Sequence, residues 1–111
     1  MKQVEHEEIK LRLGDVLFTW DDEKERINIR KHDIDFTVAA TVFMDNDVLL
    51  EFNSVDEYTG EERWDAIGLM KGPYLFVVYV ERTTSDNDDI IRIISARKAE
   101  RKEIHRYLDG Y

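Results

Sequence analysis

Residues 90–107, IIRIISARKAERKEIHRY, set Arg92 inside an isoleucine-rich strand and follow it with Arg97, Lys98, Arg101, Lys102 and Arg106. Alternate side chains of a strand share a face, which groups Arg92 with Ile90, Ile94 and Ala96 and leaves its charge in need of an anion, a carboxylate or water. Two further strands repeat the theme: Arg82 ends the row Phe76, Val78 and Val80, and Arg63 precedes Asp65, Ile67 and Leu69. Guanidinium groups form forked, permanently charged hydrogen bonds to phosphate oxygens, so arginines lining a groove between sheet and helix would take a phosphodiester. Cleavage would then need a proton acceptor for an attacking 2'-hydroxyl, a donor for the leaving oxygen, and cations for the charge developing on the phosphate. His32, beside Lys31 at the end of a predicted helix, is the best-placed titratable group, although the same position suits a histidine that only complements the helix dipole. His6 and His105 lie far from it in the chain, and three dispersed histidines without any cysteine make no metal motif. Neither metal nor cofactor is expected.

Each arginine also has a structural reading. Arg63 can pair with Asp65 or Glu62, Arg92 with an acid across the sheet, and any of them can pack its stem while the head reaches water. Geometry discriminates between the two readings. Arg63, Arg92 and Arg97 in one open groove favour cleavage, whereas an arginine tied in each case to a carboxylate beneath the surface favours a non-catalytic binding module.

The elements that must position these groups follow from pattern. VLFTW (16–20) reads as a strand, and DDEKERINIRKH as a polar helix with Asp22 and Glu25 at capping-box spacing. After a break at Asp33, Asp35 can cap a second helix that buries Phe36, Ala39, Ala40 and Phe43 on one face. Four strands follow at period two, VLLEFN (48–53), EERWDAIGLM (61–70), PYLFVVYVER (73–82) and DIIRIISA (89–96), joined by short turns that imply an antiparallel meander. A last helix is expected from about Arg97, with Ile104, Tyr107, Leu108 and Tyr111 as its apolar stripe. The architecture predicted is α+β: two N-terminal helices and a C-terminal helix on an antiparallel sheet of about four or five strands. Residues 1–15 read as an N-terminal extension that could add a short edge strand, and residues 16–111 as a single domain.

Composition sets the limits. A chain of 111 residues that is 42% hydrophobic buries a real core without disulfides, and it has no cysteine to form them. No apolar run is long enough for a membrane span and the N-terminus is too charged for a secretory signal, which points to a soluble cytoplasmic protein. The net charge of -9 argues against nucleic acid only on average. Residues 24–32 carry four basic groups against one acid, and residues 90–106 carry six against two; residues 33–62 hold nine acids and no Lys or Arg. The chain is two-sided if its basic segments meet, with one face for an anion and another for a cationic partner. Direct DNA binding finds no support, since neither a recognition helix nor a basic arm is evident.

The series FTWDDEK, RKHDIDF with AATVF, ERWDAIG, VVYVER and IRIISARKAE resembles the BrnT family of toxins in order, spacing and residue type over residues 17–107. The resemblance implies a RelE-like fold, a metal-independent endoribonuclease of a type II toxin–antitoxin system, and neutralisation by a BrnA-like antitoxin with a ribbon-helix-helix part, in an assembly with two copies of each chain. Operator DNA would be reached only through that antitoxin. The matching positions are Lys31 and His32, Arg63 and Trp64, Arg82, Arg92, and Arg97 with Lys98. Of these, Lys31, His32, Arg92 and Arg97 are the expected catalytic residues, and Arg63, Trp64, Arg82 and Lys98 the expected substrate-binding ones. A catalytically inactive homologue that acts as a protein-binding module is the alternative.

Overall fold

The computed structural model describes residues 8–84 and 86–110. A hairpin of β1 (Leu11–Leu13) and β2 (Val16–Thr19) turns at Gly14, whose φ of 58° requires glycine's freedom. Helix α1 (Asp22–His32) starts one residue earlier than expected: Asp21 is the cap and accepts the Lys24 N–H. That leaves Glu25 free to accept the Phe36 N–H at 2.9 Å and tie the two helices together. Acids in the first turn and Arg30, Lys31 and His32 in the last complement the helix dipole. Asp33 ends α1 at φ 57°, a left-handed position that the short Asp side chain tolerates better than most. Asp35 caps α2 (Phe36–Ala40), which tightens into a 3-10 turn over Thr41–Met44.

Four strands, β3 (Leu49–Val55), β4 (Glu62–Gly68), β5 (Leu75–Thr83) and β6 (Asp89–Lys98), form the antiparallel meander that their short connections require. The expectation of a purely antiparallel sheet of four or five strands is wrong. The sheet has six strands in the order β1-β2-β6-β5-β4-β3, and it is mixed, because β2 runs parallel to β6. Short turns dictate direction only between consecutive strands. The pairing of β2 with β6 joins segments separated by both helices and three strands, so local sequence leaves its direction open. Still α+β, the fold ends with α3 (Arg101–Asp109), which begins four residues later than expected. Leu75 and Phe76 still offer β-partners to Lys98 and Arg97, so the strand continues, and Glu100 and Glu103 form the capping box that starts the helix.

Helices α1 and α2 bury one face of the sheet. Phe18, Phe36, Ala39, Ala40, Ala66, Val77, Tyr79, Ile93 and Ala96 are essentially inaccessible there. Asn28, buried on α1, donates to the Ala96 carbonyl and accepts the Ala96 N–H at 2.9 and 3.0 Å. It thereby replaces the strand partner that β6 lacks beyond β2, whose pairing stops at Thr19↔Arg92. Helix α3 takes the opposite face, held there by Arg106 on Glu51 of β3 and by Arg97 of β6 on Glu103.

Candidate functional site

One irregularity decides which arginines meet. Along β5 and β6 the pairs run Val77↔Ala96, Val78↔Ser95 and then Tyr79↔Ile93, so Ile94 is an extra residue in β6. Strict alternation would put Arg92 and Arg97 on opposite faces. The bulge returns Arg97 to the face of Arg92 and moves Ala96 to the core side, correcting the grouping of Ala96 with Arg92. The pairs Val80↔Arg92, Arg82↔Ile90 and Phe76↔Arg97 then align Arg82, Arg92 and Arg97 on the face opposite α1 and α2. On β4, Trp64 pairs with the core-facing Tyr79, which turns Arg63 to the arginine face. One register step beyond Trp64↔Tyr79, Arg63 stands level with Val80 and Arg92, about 10 Å from Arg92 across two strand spacings.

These arginines face carboxylates. Arg82 forks Glu61 at 3.0 and 3.2 Å, and Arg63 reaches Asp56 at 3.3 Å, so the loop between β3 and β4 supplies both acids. Arg92 lies within the field of Asp21, whose carboxyl is held low first by the Lys24 amide and further by Arg92. Arg97 holds Glu103 with two bonds of 2.9 and 2.8 Å and stacks its guanidinium 4.1 Å above the Phe76 ring. The pairs differ in burial. Glu103 is 4% exposed, whereas Asp56 is 23% exposed and its Arg63 partner 37%. Arg97 itself is 33% exposed, close to Arg63, so the difference lies in the acids: Glu103 is fixed in the interior, whereas Asp56 is open to exchange with a solvent anion. The sequence reading paired Arg63 with Asp65 or Glu62 and missed Asp56, Glu61 and Glu103; only the Glu100–Glu103 spacing gave a local signal for the last.

Asp65 was also missed as a chemical group. It is 8% exposed, sits two positions from Arg63 on the same face, and accepts from Asn53 at 2.7 Å. Burial pushes its carboxyl up, and the neighbouring Glu51 and Glu103 add to that rise.

The remaining expected residues lie elsewhere. Trp64 projects from the other face and meets Phe52 edge-on at 5.7 Å. Lys31 and His32 are exposed at the end of α1. His32 and Lys98 line a cavity of about 400 Å³ with Ile34, Val38, Pro73 and Leu75. The structure thus separates Arg63, Arg82 and Arg92 on one face from His32 and Lys98 on the other, where Asp33 and Asp35 line the same cavity. Among the described residues, no cluster of His, Asp and Glu is arranged to hold a metal, and no helix is long and apolar enough to cross a membrane.

The fold is thus an α+β domain whose sheet carries Arg63, Arg82 and Arg92 on one face, two of them held by carboxylates of the β3–β4 loop. The family described as "Ribonuclease toxin, BrnT, of type II toxin-antitoxin system" matches residues 20–103, and the chain belongs to it. Membership makes it a ribonuclease toxin by family and implies an antitoxin partner. No curated protein matches the chain.

Proposed function

We propose that this toxin is an endoribonuclease that needs no metal, binding RNA phosphates on the sheet face that carries Arg63, Arg82 and Arg92. The observation that carries the reading is the shared face produced by strand register and the β6 bulge. A phosphate oxygen replaces Asp56 or Glu61 as acceptor, and Arg92 stabilises the charge that develops as the 2'-oxygen, its proton passing to water, bonds to phosphorus and the 5'-oxygen departs to take a proton from water. Arg97 acts by holding α3 against the sheet. Lys31, His32 and Lys98 contact other nucleotides of the same strand, and His32 assists proton transfer only where RNA passes the end of β6. Neutralisation falls to a BrnA-like antitoxin whose ribbon-helix-helix part reaches operator DNA, in an assembly with two copies of each chain.

A second reading has a specific observation in its favour. Arginines already engaged by Asp56, Glu61 and Glu103 suit an inactive homologue that binds protein alone. Incubation of partner-free protein with single-stranded RNA in EDTA separates the two. Cleavage that falls at least about tenfold in Arg92→Ala supports the enzyme, since loss of one strong transition-state contact costs that or more. Equal products from wild type and Arg92→Ala, or none from either, leave the module.

A further inference from the structure

Away from the arginine face, the sheet ends in an open strand. β3 is last in the sheet order, and among the described residues no backbone group hydrogen-bonds to its outer edge. Natural edges are blunted by lysine, proline or a bulge; residues 49–55 contain neither lysine nor proline, and the irregularity at Asn53 leaves residues 49–52 as a regular edge. Instead Leu50, Phe52 and Val55 are 45%, 53% and 53% exposed. Leu50 and Phe52 pair with Ala66 and Trp64, so they stand on the α1 side of the sheet but beyond the cover of its helices. Next to them opens a cavity of about 680 Å³ lined by Leu50, Trp64, Glu61, Glu62 and Glu81. Glu61 is tied to Arg82, whereas Glu62 and Glu81 form no ion pair among the described residues.

A free edge, an apolar row and unneutralised acids at the rim of an aromatic-walled groove together define what fits. Backbone groups want an extended segment, Leu50 and Phe52 want apolar side chains at alternate positions, and Glu62 and Glu81 want cations. A second copy of this chain would meet the edge with a net charge of -9 and the same acids, which repels it.

We infer that β3 and its groove are the docking surface for the antitoxin, which adds an extended segment as a further strand. Where the chain continues past the paired strand and crosses the groove, its Lys or Arg side chains lie over Trp64 between Glu62 and Glu81, and cation–π attraction and charge act together there. The inference rests on family membership for the existence of an antitoxin and is independent of RNA cleavage.

Two measurements test it. Hydrogen exchange on the chain bound to its cognate antitoxin is expected to show protection of amides in residues 49–55. Fluorescence anisotropy with a ten-residue peptide alternating Lys and Leu is expected to show saturable binding, at least tenfold weaker in Glu62→Lys/Glu81→Lys and absent for the matching Glu/Leu peptide. The double variant should keep the wild-type unfolding midpoint, which separates a lost contact from a lost fold. A complex in which residues 49–55 exchange as freely as in the unbound chain overturns the inference while leaving the toxin reading intact. So does peptide binding indifferent to both the variant and the peptide's charge. A homodimer dispersed by Phe52→Lys also overturns it, by assigning the edge to a second copy.

Discussion

Asn28 shows how one side chain substitutes for a missing strand. Its amide satisfies both backbone groups of Ala96 and donates as well to the Ile34 carbonyl at 2.9 Å. Removing it leaves buried backbone groups without partners, each costing about 1–3 kcal/mol. Asn28→Ala is expected to destabilise by about 3 kcal/mol, read from chemical denaturation at pH 7. Glu103 carries a comparable load. Burial alone would raise its carboxyl, but bonds from Arg97 and the Glu100 N–H hold it below the usual value of 4.5. A carboxyl whose pKa is lowered by folding stabilises above its unfolded pKa, and that stability drains as pH falls through the folded value. Wild type is therefore expected to lose stability as pH drops below about 4.5, and Glu103→Gln to show a flatter acid limb and lower stability at pH 7. Unfolding curves at successive pH values check both. Asp65 has the opposite sign, because its raised pKa makes the ionised form a burden above that pKa.

Among the elements, the end of β4 packs closely on the 3-10 turn. A Cβ added at Gly68 would stand 3.1 Å from the Val42 Cβ and 3.3 Å from both the Val42 carbonyl and Asp45 Oδ2. Asp45 accepts from the Leu69 N–H and from the Tyr107 hydroxyl at 2.8 and 2.6 Å, so the 3-10 turn, β4 and α3 meet at one carboxylate. Burial works to raise Asp45, but those bonds hold it low, and the same contact pushes the Tyr107 hydroxyl up to about 12. Gly68→Ala is expected to cost about 1–3 kcal/mol through overpacking and to loosen α3, measurable as faster amide exchange in residues 101–109.

At the scale of the whole molecule, charge governs encounter. Acids of residues 33–62 divide their work: Asp56 and Glu61 neutralise arginines, Glu51 holds Arg106, and Glu62 remains without an ion pair among the described residues. A chain with a net charge of -9 attracts a cationic partner over distance, which raises the association rate more than it strengthens the final complex. Association with the antitoxin is expected to slow steeply as salt shortens the Debye length below about 10 Å. Stopped-flow rates across ionic strength test this, and a flat profile contradicts it.

The sequence alone determined what local physics controls. Period-two patterning and turn residues marked β3 to β6, Asp35 announced its helix, and the chain's motifs carried the family. Individual arginines were legible as charges on apolar strands, because alternation is a property of the strand itself. What each arginine faces was decided only in three dimensions. The parallel pairing of β2 with β6 and the partnership of Arg82 with Glu61 depend on contacts between distant segments. The one-residue bulge at Ile94 reverses every side chain beyond it, which a period-two pattern cannot anticipate. That single extra residue turns Arg97 to the face its fellow arginines share, and the fold then closes Glu103 over it.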